Sequence, residues 1–262
     1  MKGLAIYVSS YDGCSDLWNT FFEIFDTFWS KCNFPIYLVN NQKPYEHKNI
    51  KVISTGAEVH WFDRNIRALE EVKEEYILFM LEDYFISKNI NNNEFYKIVQ
   101  FMQSHNSFYY QLSFNGEISR KDSKIIQVNS HIKYPISLQP AIWNKEYLLK
   151  ILKNINMESP WDFENYFKKK YEETVGVISG AFCDMRDILG YKNGVLRGKW
   201  IPTTIKYFEK KEIYIDLGER EQLSKRDEFK YMISSWVSYH VPENIKRIIK
   251  GCLKAFHIDY LR

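Results

Sequence analysis

LAIYV (4–8) is a short apolar run that stops at Ser-Ser-Tyr-Asp-Gly, and behind it Leu17, Phe21, Ile24, Phe25 and Phe28 fall on one face of a helix. The pattern reads as strand, polar loop, helix. PIYLVNN (35–41) and KVIST (51–55) repeat the strand signal, Trp61 to Val72 has a helical period, and YILFML (76–81) is a further strand. A helix with Phe95, Ile98, Val99 and Met102 in register follows. Beyond it, IIQVN (125–129) and YPISLQP (134–140) have strand character, and Asn144 is placed to cap a helix from Lys145 to Leu152. Ser159-Pro160-Trp161-Asp162 is a helix start, with a serine N-cap, proline at the first position and an acid at the third. Strands and helices alternate over short connections, and the strands are continuously apolar, as burial on both faces requires. The predicted class is therefore α/β, a mostly parallel central sheet flanked by helices. No repeat, low-complexity tract or linker interrupts it, so the reading is one domain over 1–262, with parts at 1–115 and 116–200 and a C-terminal helical extension at 201–262.

Composition narrows the partners. The 262 residues carry a formal charge of +3, which argues against a continuous basic face for nucleic acid, so a cationic site must be local. Aromatics make up 17%, with 19 tyrosines, a content read first as a rich aromatic core, with stacking surfaces as the alternative. The start MKGLAIYVSSYDG lacks the apolar stretch of a secretory signal, and no run approaches the roughly 18 residues of a membrane span, so a cytoplasmic protein is expected. Cys14, Cys32, Cys183 and Cys252 have no CxxC spacing, and the six histidines no HxxxH spacing, so neither set is assigned a metal.

In open α/β sheets ligands bind beyond the carboxyl ends of the strands, and two such ends are polar here. At the first, Ser9, Ser10, Tyr11 and Asp12 can offer hydroxyls and a carboxylate to a nucleoside; the other reading is an Asp-Gly turn. At the second, YILFML runs straight into Glu82 and Asp83, two carboxylates able to hold a divalent cation that carries a diphosphate. A cap or surface acid pair is the alternative. KNGVLRGKW (192–200) sets Arg197 and Lys199 beside two glycines, as in a loop that closes over a diphosphate or in a solvated basic hairpin. Asp162 belongs to its helix cap, whereas Glu164 is not needed there and lies near the positive helix end.

The opening Ser-Ser-Tyr strand end, the unit W-x-x-R-x-x-x-A-L from Trp61, and LEDYF (81–85) together resemble the bacterial nucleotide-sugar glycosyltransferases of the GT-A fold. SLQPAIW (137–143) and SPWDFE (159–164) are similar to acceptor-side segments of capsule and lipopolysaccharide transferases in that group, and the matches cover roughly the first 200 residues. The resemblance implies a nucleotide-sugar-binding part at 1–115 and an acceptor-side part at 116–200. It implies a donor, UDP-linked, whose diphosphate and metal, Mn or Mg, meet Glu82 and Asp83. It also implies a saccharide or lipid-linked saccharide acceptor in surface polysaccharide synthesis, with Glu164 as base and Asp162 as runner-up. The usual signature is Asp-x-Asp, whose side chains two apart share one side of an extended chain, whereas Tyr84 and Phe85 stand at those positions here. A cation-free arrangement with Arg64 or Arg67 against the diphosphate is thus a further expectation.

No GxSxG elbow or GxxxxGK[ST] loop is present. A sugar nucleotidyltransferase would share the sheet but would have a glycine-rich, arginine-bearing loop after the first strand, and SSYDGCSD has one glycine and no arginine. That enzyme and a non-catalytic carbohydrate- or partner-binding module are the alternatives. At the C-terminus, Ile245, Ile248, Ile249, Cys252, Leu253 and Phe256 make an apolar stripe beside Lys246, Arg247, Lys250 and Lys254. Such a pattern over 241–262 suits packing on the domain or peripheral contact with an anionic membrane.

Overall fold

The computed structural model describes residues 3–57, 59–112, 124–132, 134–155 and 159–240; the stripe expected at 241–262 lies outside them. The chain divides into two compact units, one of residues 1–114 and 123–192, the other of 115–122 and 193–262.

The first unit is α/β. Its strands are β1 (Leu4–Ser9), β2 (Ile36–Asn40), β3 (Ile50–Ser54), β4 (Tyr76–Leu81), β5 (Tyr84–Phe85), β6 (Tyr109–Gln111), β7 (Ile125–Asn129), β8 (Ala141–Asn144) and β9 (Val177–Asp184). Its helices are α1 (Trp18–Phe28), α2 (Trp61–Glu71), α3 (Asn92–Ser104), α4 (Lys145–Asn154) and α5 (Pro160–Lys170). Eight strands form one sheet in the order β3-β2-β1-β4-β8-β6-β9-β7. β1 is parallel to both β2 and β4, and β2 to β3. β8 runs antiparallel between β4 and β6, and β6 is again parallel to β9.

That order has a physical consequence. From β1 the chain steps outward to β2 and β3, then returns across β1 to β4. Right-handed crossovers in opposite directions put α1 and α2 on opposite faces of the sheet. Ala5, Tyr7, Ile77 and Phe79 pack with Trp61, Phe62, Leu69, Leu148, Phe163 and Phe167 in one core. Ile6, Val8, Leu78 and Met80 alternate to the other face and are equally buried. α1 and α3 meet through aromatics, with the Trp29 and Phe95 ring centroids 4.6 Å apart.

The caps fall where the sequence places them. The Asn144 side chain accepts from the Tyr147 backbone N–H at 3.0 Å. Asp162 Oδ2 accepts from the Ser159 N–H at 3.0 Å and from its hydroxyl at 2.8 Å, closing the start of α5. Asn144→Ala should destabilise the unit by about 1 kcal/mol, read from the midpoint of urea unfolding at unchanged slope. No shift would mean that α4 does not rely on its cap. One expected strand is displaced. YPISLQP at 134–140 is irregular, and the strand is the following Ala141–Asn144. Pro140 ends the irregular stretch, and the Leu112 N–H bonds to its carbonyl at 3.1 Å.

In the second unit, β11 (Val195–Leu196) and β12 (Lys199–Trp200), which follow the two-residue β10 (Lys192–Asn193), pair as an antiparallel hairpin. Arg197 and Gly198 make its turn at φ 50° and 77°, the left-handed pair that a two-residue hairpin requires. α6 (Pro202–Glu209) and α7 (Lys225–His240) complete the unit, and the Glu228 carboxylate accepts from the Thr203 N–H at 2.7 Å. Trp200, Ile205 and Phe208 are buried within it.

Candidate active site

The switch from β1–β2–β3 back to β4 makes the carboxyl ends of β1 and β4 a topological switch point, the place where open α/β sheets form their ligand crevice. Ser9 pairs in register with Leu81, so the two polar strand ends singled out in the sequence lie side by side. Each residue there has its own surroundings.

Asp12 is a clamp. Its Oδ1 accepts from the Asn41 and Gln42 N–H groups at 3.1 and 3.2 Å, and its Oδ2 from Gln42 and Lys43 at 3.2 and 3.1 Å, tying the loop after β2 to the end of β1. The Ser10 hydroxyl accepts from Trp18 Nε1 at 2.8 Å. Ser9 is 2% exposed, and its Oγ has no hydrogen-bond partner among the described residues. Tyr11 stands half in solvent, with the Arg64 guanidinium 5.8 Å from its ring centroid.

Glu82 and Asp83 form the turn between β4 and β5, and they do not behave alike. Glu82 is buried, and burial pushes its carboxyl above the usual range; hydrogen bonds from Cys14 and Ser10 and the nearby Arg64 charge pull the other way. Asp83 is half-buried. Arg64, on α2, is 6% exposed and donates through Nη1 to the Val59 carbonyl at 3.1 Å, while its Nε has no partner among the described residues. Burial lowers its pKa, and Tyr7, Glu82, Tyr11 and Asp12 raise it. Arg67, its neighbour on α2, bonds the Thr55 carbonyl at 2.8 Å.

Glu164, the fifth residue of α5, accepts through Oε1 from the Leu138 N–H at 3.1 Å. The two segments SLQPAIW and SPWDFE therefore meet. Burial raises the Glu164 pKa, and the Leu138 bond opposes this. Tyr84 joins the two halves of the site: burial drives its hydroxyl well above the ordinary tyrosine value, and the charges of Asp83, Tyr191, Glu164 and Glu82 add to the shift. Its ring centroid lies 5.2 Å from that of Tyr191. Tyr84 could have been found from its adjacency to the acids in LEDYF. Tyr191, Cys14 and the inward turn of Glu82 left no signal in the sequence.

A divalent ion does not fit Glu82 and Asp83 as a pair. To bind one, Glu82 would have to exchange the Ser10 and Cys14 bonds for a cation placed against the Arg64 charge. Among the described residues no three His, Cys, Asp or Glu side chains gather as a metal site. Arg197 and Lys199 lie in the second unit on a tight hairpin, the second of the two readings of KNGVLRGKW; Lys199 Nζ is 2.6 Å from Glu221 Oε2.

No family model matches the chain, and no curated protein matches it. Among solved structures it is similar to residues 1–349 of TarS from S. aureus, at 17% identity over 70% of this chain and 60% of that one, with a TM-score of 0.41. It is similar too to a CMP:2-keto-3-deoxy-manno-octonic acid synthetase complexed with CTP, at 10% identity over 80% and 98% of the two chains, TM-score 0.45. A third likeness is a cytidylyltransferase from Leptospira borgpetersenii, at 11% identity over 100% and 98%, TM-score 0.39. The chain thus spans 60% of the TarS chain. Among the described residues no helix is long and apolar enough to cross a membrane.

Proposed function

We propose that the protein is a glycosyltransferase that moves a sugar from a UDP-linked donor to a saccharide acceptor of a surface polysaccharide, with inversion at the anomeric carbon. The observation that carries this reading is the arrangement around Tyr84. Asp83 and Glu82, at the mouth of the β1–β4 crevice, and Glu164, from the SPWDFE helix start, all bear on its hydroxyl. A direct displacement needs a base for the acceptor hydroxyl, the role given to Glu164, and a positive group for the leaving diphosphate, the role given to Arg64 beside Glu82. In that reaction the acceptor oxygen bonds to the anomeric carbon as its proton passes to the Glu164 carboxylate, and the bond from that carbon to the diphosphate breaks, its electron pair leaving with UDP. The half-exposed Tyr11 supplies a stacking surface for the nucleoside.

The test is hydrolysis and transfer across a panel of nucleotide sugars, together with UDP affinity by calorimetry. Release of UDP from one donor, accelerated by a saccharide, supports the reading. Pyrophosphate release from a nucleoside triphosphate and a sugar phosphate would make the protein a nucleotidyltransferase instead, and sugar binding without turnover would make it a binding module. Asp83 is read as accepting from the ribose hydroxyls rather than facing the phosphates, so Asp83→Asn should weaken UDP binding about tenfold, with the melting temperature nearly unchanged because the residue lies on a half-buried turn rather than in the core. Unchanged affinity would remove Asp83 from the donor site.

A further inference from the structure

We infer that the buried guanidinium of Arg64, with the Ser9 hydroxyl, takes the place of a divalent cation in holding the donor's diphosphate, so that nucleotide binding at this site is independent of metal. This rests on the nucleotide-sugar reading above and adds to it the means by which the leaving group is held. Three observations carry it. The first concerns Glu82, the acid that would share a cation with Asp83. It is turned inward onto Ser10 and Cys14 within range of a positive charge, so the pair cannot present two carboxylates to one ion.

The second is an open donor. Arg64 is 6% exposed, yet among the described residues its Nε meets no acceptor; its Nη1 is fixed on Val59. A buried N–H without a protein acceptor costs folding free energy until water, an ion or a ligand supplies one, and a phosphate oxygen is an acceptor of the kind a guanidinium takes. Ser9 Oγ, 2% exposed at the end of β1, is a second polar atom without a partner among the described residues. The third is placement. Arg64 reaches the ring of Tyr11 at 5.8 Å and feels Asp12 and Glu82, which come from the ends of β1 and β4 on either side of the crevice.

The chemistry agrees. A guanidinium is planar, stays charged at any physiological pH, and matches phosphate oxygens through a fork of N–H groups, where a lysine would offer only a point charge. Glu82 then has a positioning role through its charge, which acts on Arg64; the guanidinium in turn would meet the phosphate. On the nucleotide-sugar reading the uridine would lie against Tyr11, so the diphosphate alone should retain part of the affinity.

Calorimetry with UDP and with inorganic pyrophosphate tests this on the full chain, in EDTA and in manganese. The expected result is UDP affinity equal within about twofold in the two buffers, with pyrophosphate bound more weakly but equally in both. Arg64→Met should weaken both ligands by tenfold or more and Arg64→Lys by less, since a charge without the fork remains. Ser9→Ala, a smaller change, should cost pyrophosphate affinity several-fold in a protein that melts as the parent does. UDP affinity that collapses in EDTA and returns with manganese overturns the inference while leaving the nucleotide reading intact. So does a folded Arg64→Met protein with parental affinity. Failure to bind UDP in either buffer overturns the nucleotide reading itself.

Discussion

Glu164→Gln should lower turnover by a hundredfold or more while leaving UDP affinity within about twofold of the parent. A saccharide hydroxyl is a poor nucleophile near neutral pH, and a positioned base typically contributes that much. Gln keeps the oxygen that accepts from the Leu138 N–H at 3.1 Å, so the local fold survives the change. Burial raises the carboxyl's pKa, and the base must be ionised to work, so the acid limb of the rate profile should lie above the ordinary carboxylate value of 4.5. The same shift has a stability signature. A group whose folded pKa exceeds its unfolded one contributes stability that is fully present below the unfolded value and is lost as pH rises through the folded value. The parent should thus lose more melting temperature than the Gln variant as pH is raised from about 4 towards neutrality. Asp162→Asn, by contrast, removes a cap carboxylate that holds Ser159 through two bonds, and it should cost about 1 kcal/mol with a small loss of rate. Near-normal turnover in Glu164→Gln would place the base elsewhere, and a collapse confined to Asp162→Asn would exchange the two roles.

Arg186→Met is the change that should most damage the fold. Asp184, at the end of β9, is fully buried, and its Oδ1 and Oδ2 receive Arg186 Nε at 2.9 Å and Nη2 at 2.8 Å, with the Tyr110 hydroxyl on Oδ2 at 2.7 Å. Removing the cation leaves a buried carboxylate without its counter-charge, which costs about 3–5 kcal/mol. The lower end applies here because the Arg186 side chain is 34% exposed and water reaches it. The melting temperature should fall by roughly 10 °C. Adding Asp184→Asn to that variant should restore a good part of the loss, since the uncompensated charge is the damaging element. If Arg186→Met melts within a degree or two of the parent, the pair is ornamental to stability and β9 is held by its neighbours alone.

The first half of the sheet was legible because its strands are long, apolar and separated by helices with clear faces. β6 spans only Tyr109–Gln111, too short to show a period. β9 contains Gly180 at φ 76°, where a Cβ would come within 3.1 Å of the Phe108 ring; that glycine is required by a close approach between strands and breaks the apolar run. β8 was displaced towards YPISLQP because Ile136 and Leu138 are as deeply buried as strand residues, although they are held in irregular backbone. Burial was readable there, and the conformation that achieves it was not. The same divide runs through the site. LEDYF announced two acids at a strand end, but which of them turns inward depends on Ser10, Cys14 and Arg64. These come from elements that only the strand order brings together. The caps of α4 and α5, being local, were fully written in the sequence.

The antiparallel partner of β4 bears on how the protein is made. β4 ends at Leu81, while β8, which covers its second edge, begins at Ala141. During synthesis from the N-terminus, YILFML can pair with β1 as soon as it emerges, yet its other edge must wait until the chain through Trp143 has left the ribosome. An apolar strand with an open edge is a template for another chain. Nascent chains of this protein should therefore depend on chaperone cover over that interval, and a fragment ending before Ala141 should aggregate where the chain carried through β8 remains in solution.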